Sequence, residues 1–412
     1  MITFKPFKAV MPKPELAKDI AALPYDVFNR EEAKKETITN SCSFLRIDRA
    51  ETNFNDEIDI YSNEVYLKAS SLLNEWLETE MLIEDSKKAY YLYELGTQTH
   101  TQTGFVGLTA VKDLVNGSIK DHEKTRADKL ADRIKHIDVC NAHTGPILMF
   151  YQDNQILDNL ILKIKQLSNP IIDFKSDDTI QHRIFRIVDP NHSEIIATEF
   201  EKINALYIAD GHHRASAAKS IALTRNNELN DLTKPENLFL SVVFPANQLK
   251  IMDYNRVIKD LNGLSGIEFL DLIQSEFDII QTSIEKIKPE IKGQFSMYYN
   301  NLWYLLNYKY RDLLLNSPID LLDVSIIQNK LLCPILGIQN PATDSRIDFI
   351  GGIKGLEALE KRVNEDCIVA FALVATSIEE LIDISDGGQL MPPKSTWFEP
   401  KLRSGLFIHL IK

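Results

Sequence analysis

The sequence predicts a mixed α+β protein whose strands and helices alternate without a regular βαβ rhythm. Two stretches carry this. AYYLYELGTQTHTQTGFVGLTAVKDL at 89–114 has two β-rich runs joined by Gly, Thr and Gln, the pattern of an antiparallel hairpin with a polar loop. Further on, PILMFYQ, NPIIDF, HRIFRIVD and NALYIA read as strands, with the helical run ILDNLILKIKQL between them. With 412 residues the chain exceeds the usual size of a single core, so two domains, or one large domain with an appendage, are expected, divided as 1–252 and 253–412.

In chain order, residues 1–49 alternate short apolar pieces with proline-marked turns, notably LPYDV at 23–27 and FLRIDRAE at 44–51, and fit short strands and loops. In 56–84 the apolar residues Tyr66, Ala69, Leu72, Leu73, Trp76 and Leu77 recur near the helical period, predicting an amphipathic helix. Asp121 to about Cys140 reads as a second helix. FLSVVFPANQLKI at 239–251 is a strand, and DYNRVIKDLNG at 253–263 reads as a junction followed by a short helix ending at Gly263. Beyond it come a helix, the hairpin FSMYYNNLWYLLNYK, another helix, and a closing loop and strand.

Composition narrows the function. A net charge of -13 argues against long nucleic acid or an anionic membrane as partner, because phosphate contacts need clustered cations; small anions stay open wherever basic groups gather. The opening MITFKPFKAVMPKPEL lacks the apolar core of a signal peptide, and runs such as IVAFALVA fall far short of the roughly 20 residues that span a bilayer. Cys42, Cys140, Cys333 and Cys367 are scattered and read as reduced thiols of a cytoplasmic protein. Cys140 has His136 and His143 near in sequence, yet core filler is the better reading.

The densest chemistry is YIADGHHRASAAKSI at 207–221. An apolar strand precedes DGHHR and an alanine-rich helix follows, so the motif occupies a strand-to-helix turn whose unpaired amides favour an anion. Gly211 permits a tight backbone, Asp210 could hold a metal or orient an imidazole, and His212, His213 and Arg214 could stabilise a transferring phosphoryl group. The plainer reading makes Asp210 a helix cap and Gly211 the turn, with the histidines and Arg214 solvated or paired. Zinc is disfavoured, since HEKTR at 122–126 lacks the second histidine of H-E-x-x-H.

Two further clusters could complete an anion site. In KDHEKTRADKLADRIKH, His122, Arg126, Lys129 and Arg133 share a face if the whole stretch is helical; the competing reading is an exposed face with ion pairs through Glu123, Asp128 and Asp132. GGQLMPPKSTWFEPKLRSG gathers Lys394, Ser395, Thr396, Lys401 and Arg403. It mimics a P-loop superficially, but Pro393 replaces the glycine before the lysine and Pro400 opposes the following helix, leaving a rigid cation-bearing loop. For a general base, Asp26, Glu31 and Glu32 are open, with Glu123 beside His122 a further option.

LPYDV, FLRIDRAE, DHEKTRADKLADR, YIADGHHRASAA, VVFPANQLKIMDYNRVIKDLNG, ATDSRIDFIGG and MPPKSTWFEPKLRSGL occur in that order, and together the chain resembles the family known as domain of unknown function ten-fifteen over nearly its whole length. The DGHHR turn is similar to that of free-serine kinases built on the ParB/sulfiredoxin-like fold. The resemblance implies a ParB/sulfiredoxin-like core in 1–252; the additional α+β region in 253–412 is expected, from its own Lys/Arg cluster, to bring a cation-bearing loop to the site. The resemblance also implies that Asp210, Gly211, His212, His213 and Arg214 serve phosphates, Mg²⁺ and substrate, with Asp210 on the metal. Those kinases are shorter, their catalytic glutamate has no evident counterpart here, and the MPPKST region has none in them.

The expected function is a kinase of free L-serine or a similar hydroxyl compound, using ATP, ADP or pyrophosphate with Mg²⁺. Its partner is a small molecule, with a homodimer left open. The alternatives are a phosphohydrolase acting on phosphoserine or a similar phosphoester, and a nucleotide-binding regulatory protein without turnover.

Overall fold

The hairpin read from 89–114 forms the middle of the largest sheet in the computed structural model, which describes residues 1–225, 228–314 and 317–411. The chain divides into two compact units. The first comprises 1–121, 125–249 and 400–412, and the second 122–124 and 250–399. The last residues, placed by the sequence reading in the region 253–412, thus belong with the first unit.

The first unit holds a nine-stranded sheet. Its strands are β1 (Phe4–Lys5), β2 (Tyr90–Gly96), β3 (Thr101–Ala110), β4 (Ile119–Lys120), β5 (Ile147–Tyr151), β6 (Ile172–Lys175), β7 (Gln181–Ile187), β8 (Leu206–Asp210) and β9 (Leu238–Pro245). They run in the order β4-β8-β5-β9-β3-β2-β7-β6, with β1 added to β3. Most pairs are antiparallel, while β4 with β8 and β5 with β9 are parallel. Such mixed pairing explains why no βαβ period was visible.

The longer helices of this unit are α1 (Arg30–Thr39), α2 (Asn63–Glu78), α3 (Ala127–Cys140), α4 (Gln155–Leu167), α5 (Pro190–Lys202) and α6 (His212–Arg225). One sheet face is covered by α4, α5 and α6. Leu157, Leu160, Ile161 and Ile164 of α4 meet Phe200 of α5 and Ala215 and Ala218 of α6 in one buried cluster. Each fully buried aliphatic side chain there contributes about 1.5–3 kcal/mol. A second cluster joins the N-terminal segment, α2 (Val65, Ala69, Leu72, Trp76), Phe44 and Ile408. Tyr91 and Tyr93, on β2, pack against Phe407 of the returning C-terminal segment, and His409–Leu410 pairs with Ala142–His143.

The helix over 56–84 is present as α2, and ILDNLILKIKQL is α4. Three expectations need correction. Residues 30–39 are helical, because Asn29 and Glu32 form a reciprocal capping box that starts a helix with little apolar content. The helix expected from Asp121 starts only at Ala127. In 253–263 Tyr254–Ile258 is a strand, fully buried between two neighbours, and no helix precedes the turn at Asn262–Gly263. The adjacent buried polar residues Asn255 and Arg256 interrupt the apolar run that marks a strand buried on both faces.

The second unit is built on β10 (Lys250–Met252), β11 (Tyr254–Ile258), β12 (Phe277–Ser283), β13 (Gln294–Tyr299), β14 (Leu302–Tyr308), β15 (Ile347–Gly351), β16 (Val369–Leu373) and β17 (Trp397–Glu399). Six form a sheet in the order β12-β14-β13-β16-β11-β15, and β10 pairs with β17. The β13–β14 hairpin turns on Asn300 and Asn301, both with positive φ, as a two-residue hairpin loop requires.

Candidate functional site

β8 ends at Asp210 and α6 begins at His212, so Gly211 makes the reversal by itself, with φ of +97°. A register shift against β5 between Ile208 and Asp210 redirects the strand end. The Asp210 carboxylate lies between two cations, Lys401 Nζ at 3.3 Å from Oδ1 and an Arg214 guanidinium nitrogen at 3.4 Å from Oδ2. Burial opposes its charge, but Lys401, Arg214 and His212 outweigh that and hold it below the usual carboxylate range. Arg214 folds back under the turn and also donates to the Pro146 carbonyl. A Cβ on Gly211 would sit 3.1–3.2 Å from the Arg214 guanidinium, so glycine is needed here for conformation and for space.

The adjacent histidines diverge. His212 is buried, and burial pushes its imidazole down to about 4, leaving it neutral at pH 7. His213 accepts the backbone N–H of Arg126 through Nε2 at 3.0 Å, so the proton of its neutral ring is on Nδ1. Arg126 is the N-cap of α3, immediately before Ala127. The α3 and α6 helices pack through Ile137, Ala217 and Ile221, which holds the two helix starts in place.

The LPYDV loop lies on the same unit. Arg49 donates from one nitrogen to the carbonyls of Tyr25 (3.0 Å) and Phe28 (2.8 Å), and its Nε pairs with Glu51 at 2.6 Å. Both partners of that pair are largely buried. The loop borders a cleft of about 120 Å³ lined by Tyr25, Asp26, Arg49, Glu51, Lys129 and Arg133 among others. Arg133 lies 4.0 Å from the Tyr25 ring centroid and pairs with Asp132 at 2.7 Å. A smaller cavity of about 20 Å³ is bordered by Tyr25, Asp48, Arg133, His143, Arg214 and Ser404. Tyr25 and Arg133 therefore border both spaces, and the second reaches the DGHHR turn.

Of the three carboxylates proposed as base, Asp26 is the one that lines the cleft. Glu32 is engaged by the backbone N–H of Asn29 in the cap of α1, and Glu31 borders a separate surface pocket with Arg30, Lys34 and Lys35. The stripe His122, Arg126, Lys129 and Arg133 does not form as a helix face. His122 and Arg126 precede α3, whose start is fixed where His213 takes the Arg126 amide. Arg126 is exposed and paired with Asp128, whereas Arg133 is buried. His122 belongs to the second unit, where its Nε2 lies 3.2 Å from Thr396 Oγ1. Lys394, Ser395 and Thr396 belong there too, with Ser395 Oγ bonded to the Pro392 carbonyl at 2.6 Å. Lys401 and Arg403 split from them: Lys401 meets Asp210, and Arg403 pairs with Asp178.

Asp48, Arg49, Glu51, Thr144 and Ser404 were not singled out from the sequence, whereas Asp132 was expected as an ion-pair partner and pairs with Arg133. Thr144 donates to Asp48 at 2.7 Å, a buried contact spanning 96 residues that no local pattern announces. A signal did exist for FLRIDRAE, where charged residues interrupt an otherwise apolar run. Cys140 is a buried thiol pushed up to about 12 by burial, consistent with core filler. Among the described residues no three His, Cys, Asp or Glu side chains gather as a metal cage, and no helix is long and apolar enough to cross a membrane.

The sequence pattern of the family described as Protein of unknown function (DUF1015) matches residues 4–325. No curated protein matches. Solved structures with similarity include SbnI with a C-terminal truncation from Staphylococcus aureus, 11% identical with a TM-score of 0.38, covering 73% of this chain and 85% of that one. A free serine kinase in complex with AMP is 14% identical with a TM-score of 0.35, covering 71% and 86%. A conserved hypothetical protein from Pyrococcus furiosus is 15% identical with a TM-score of 0.34, covering 74% and 94%.

Proposed function

The chain belongs to the DUF1015 family of proteins of unknown function, and from that premise we propose that it is a small-molecule phosphotransferase, a kinase of free L-serine or a similar hydroxyl compound. The donor would be a nucleotide or pyrophosphate. The observation that carries this reading is the Asp210 carboxylate set between Lys401 and Arg214 at the first turn of α6, on the unit that also holds the Asp26-lined cleft.

In this reading the amides at the start of α6 receive donor phosphate oxygens, because their N–H groups lack helical partners and the helix dipole favours negative charge. Lys401 balances charge on the transferred group. Neutral His212 can donate an N–H without bringing a full charge into a buried place. Asp26 takes the proton of the acceptor hydroxyl, whose oxygen bonds to phosphorus as the donor's bridging oxygen departs. Mg²⁺ commonly uses one or two carboxylates together with substrate phosphates; Asp210 is the side chain that would hold it, and the ion would neutralise charge on those phosphates.

The test incubates the full chain with L-serine, Mg²⁺ and ATP, ADP or pyrophosphate in turn, following phosphoserine and free phosphate. Donor-dependent phosphoserine supports the kinase. Phosphate released from phosphoserine without a donor assigns a hydrolase instead, and nucleotide binding without turnover assigns a binding protein.

A further inference from the structure

Lys401 stands 3.3 Å from Asp210 Oδ1, yet no helix or strand carries it there. It is the second residue of the segment 400–412 that belongs with the first unit, and residues 400–403 form neither helix nor strand. Its place is therefore set by anchors along that segment. Ahead of it, Gln102 Nε2 donates to the Pro400 carbonyl at 3.3 Å. Behind it, Ser404 exchanges backbone hydrogen bonds with Ala22 at 2.9 and 3.2 Å. Between these, Arg403 is 4% exposed and sends its guanidinium to the Asp178 carboxylate, across 225 residues.

Asp178 is the end of a hydrogen-bonded relay. Its Oδ1 accepts the Ser176 hydroxyl at 2.5 Å, and Ser176 Oγ lies 3.1 Å from His182 Nε2. His182 Nδ1 lies 2.8 Å from the Tyr93 hydroxyl. Because the one hydroxyl hydrogen of Ser176 goes to Asp178, His182 donates to it from Nε2, and its Nδ1 accepts from Tyr93. Arg403 Nε is 3.5 Å from the same His182 Nε2. Burial and that neighbouring cation push the imidazole down to about 3, so it stays neutral and in one tautomer. At the far end, the Tyr93 ring packs against Phe407, four residues beyond Arg403. The relay thus grips the returning segment twice, by charge at Arg403 and by ring contact at Phe407, and a fully partnered buried network of this kind is rigid.

We propose that Arg403 is a positioning residue: bound to Asp178 at the end of the relay, it holds the 400–404 segment so that the Lys401 ammonium stands against Asp210. Misplacing a reacting group by about 1 Å can cost about a hundredfold in rate, so a cation carried on irregular chain needs support of this kind. The catalytic meaning of the placement rests on the phosphotransferase reading, in which Lys401 balances charge on the transferred group; the placement itself does not.

The experiment labels the full chain with a low concentration of an amine-acylating reagent and follows each lysine by peptide mass spectrometry. Wild-type Lys401, its side chain 11% exposed, should react far more slowly than Lys361 at 71%. In Arg403→Gln and in Asp178→Asn the rate at Lys401 should rise by at least about tenfold, the scale of one lost charge-assisted hydrogen bond, with Lys361 unchanged. Leu157→Ala, which weakens the α4 cluster without touching the relay, should leave Lys401 slow. Where phosphoserine is formed, both relay variants should lower kcat and leave KM nearly unchanged. An unchanged rate at Lys401 overturns the proposal, as does an acceleration shared by Lys361 or reproduced by Leu157→Ala, and as does a normal kcat beside a released Lys401. Should Arg403→Gln fail to fold, Asp178→Asn, at a half-exposed position, decides. A released Lys401 in a chain that phosphorylates nothing leaves the positioning standing while the kinase reading falls.

Discussion

His213 Nε2 accepts the backbone N–H of Arg126 at 3.0 Å, so a side chain at the start of one helix satisfies the amide that starts another. The bond ties the DGHHR turn to the beginning of α3, and both helices bury their facing sides. Replacing His213 by Ala should cost about 1 kcal/mol, the usual loss of a helix-start hydrogen bond. Amide exchange should quicken at Arg126 and in the first turn of α3. Unchanged protection there would show that the bond contributes nothing in solution.

Asp210→Asn removes the charge that Lys401 and Arg214 share. Turnover in the kinase assay should fall by at least about tenfold, a loss of roughly 1.4 kcal/mol in the transition state. Gly211→Ala should destabilise by about 1–3 kcal/mol, since it places a side chain at φ of +97° against Arg214. Wild-type urea midpoints in Gly211→Ala would argue that the turn relaxes freely.

Arg49 is a positioning residue for the loop that carries Asp26. Arg49→Ala leaves Glu51 buried without its partner and should cost about 3–5 kcal/mol. Arg49→Lys keeps the charge but cannot hold the carbonyls of Tyr25 and Phe28 with one nitrogen and Glu51 with another. Its stability should recover in part while kcat stays low and KM changes less. Equal recovery of both would mean that Arg49 acts through stability alone.

Stability should depend on pH in two opposed ways. Burial holds His212 at about 4 and His143 at about 3, below the unfolded value of about 6.5. The unfolded chain therefore binds more protons, and stability is lost as pH falls from about 6.5 toward 4. Asp323 behaves in the opposite sense. Burial raises it to about 6 from an ordinary 3.8, so the folded state binds the extra proton and stability is lost as pH rises through that window. Asp323→Asn should flatten the decline between about 4 and 6 in urea midpoints, and an unchanged profile would place the ionisation elsewhere.

Much of the secondary structure was legible because it rests on local patterns. The 90–110 hairpin, α2 and α4 follow from alternation and from helical spacing, and the strand-to-helix turn at DGHHR follows from an apolar run, a glycine and an alanine-rich run. β11 was misread because buried Asn255 and Arg256 interrupt the apolar run expected of a strand covered on both faces. α1 was missed because its start depends on a capping box and not on an apolar stripe.

The sequence by itself determined the mixed α+β class, the position of the DGHHR turn and the need for glycine at 211, since these depend on neighbours along the chain. Tertiary structure decided the partners. Lys401 reaches Asp210 across 191 residues, Thr144 reaches Asp48 across 96, and Arg256 takes the carbonyl of Lys394 across 138. Electrostatic and hydrogen-bonding energies depend on distance in space and on burial, and neither is written in the spacing of residues along a chain.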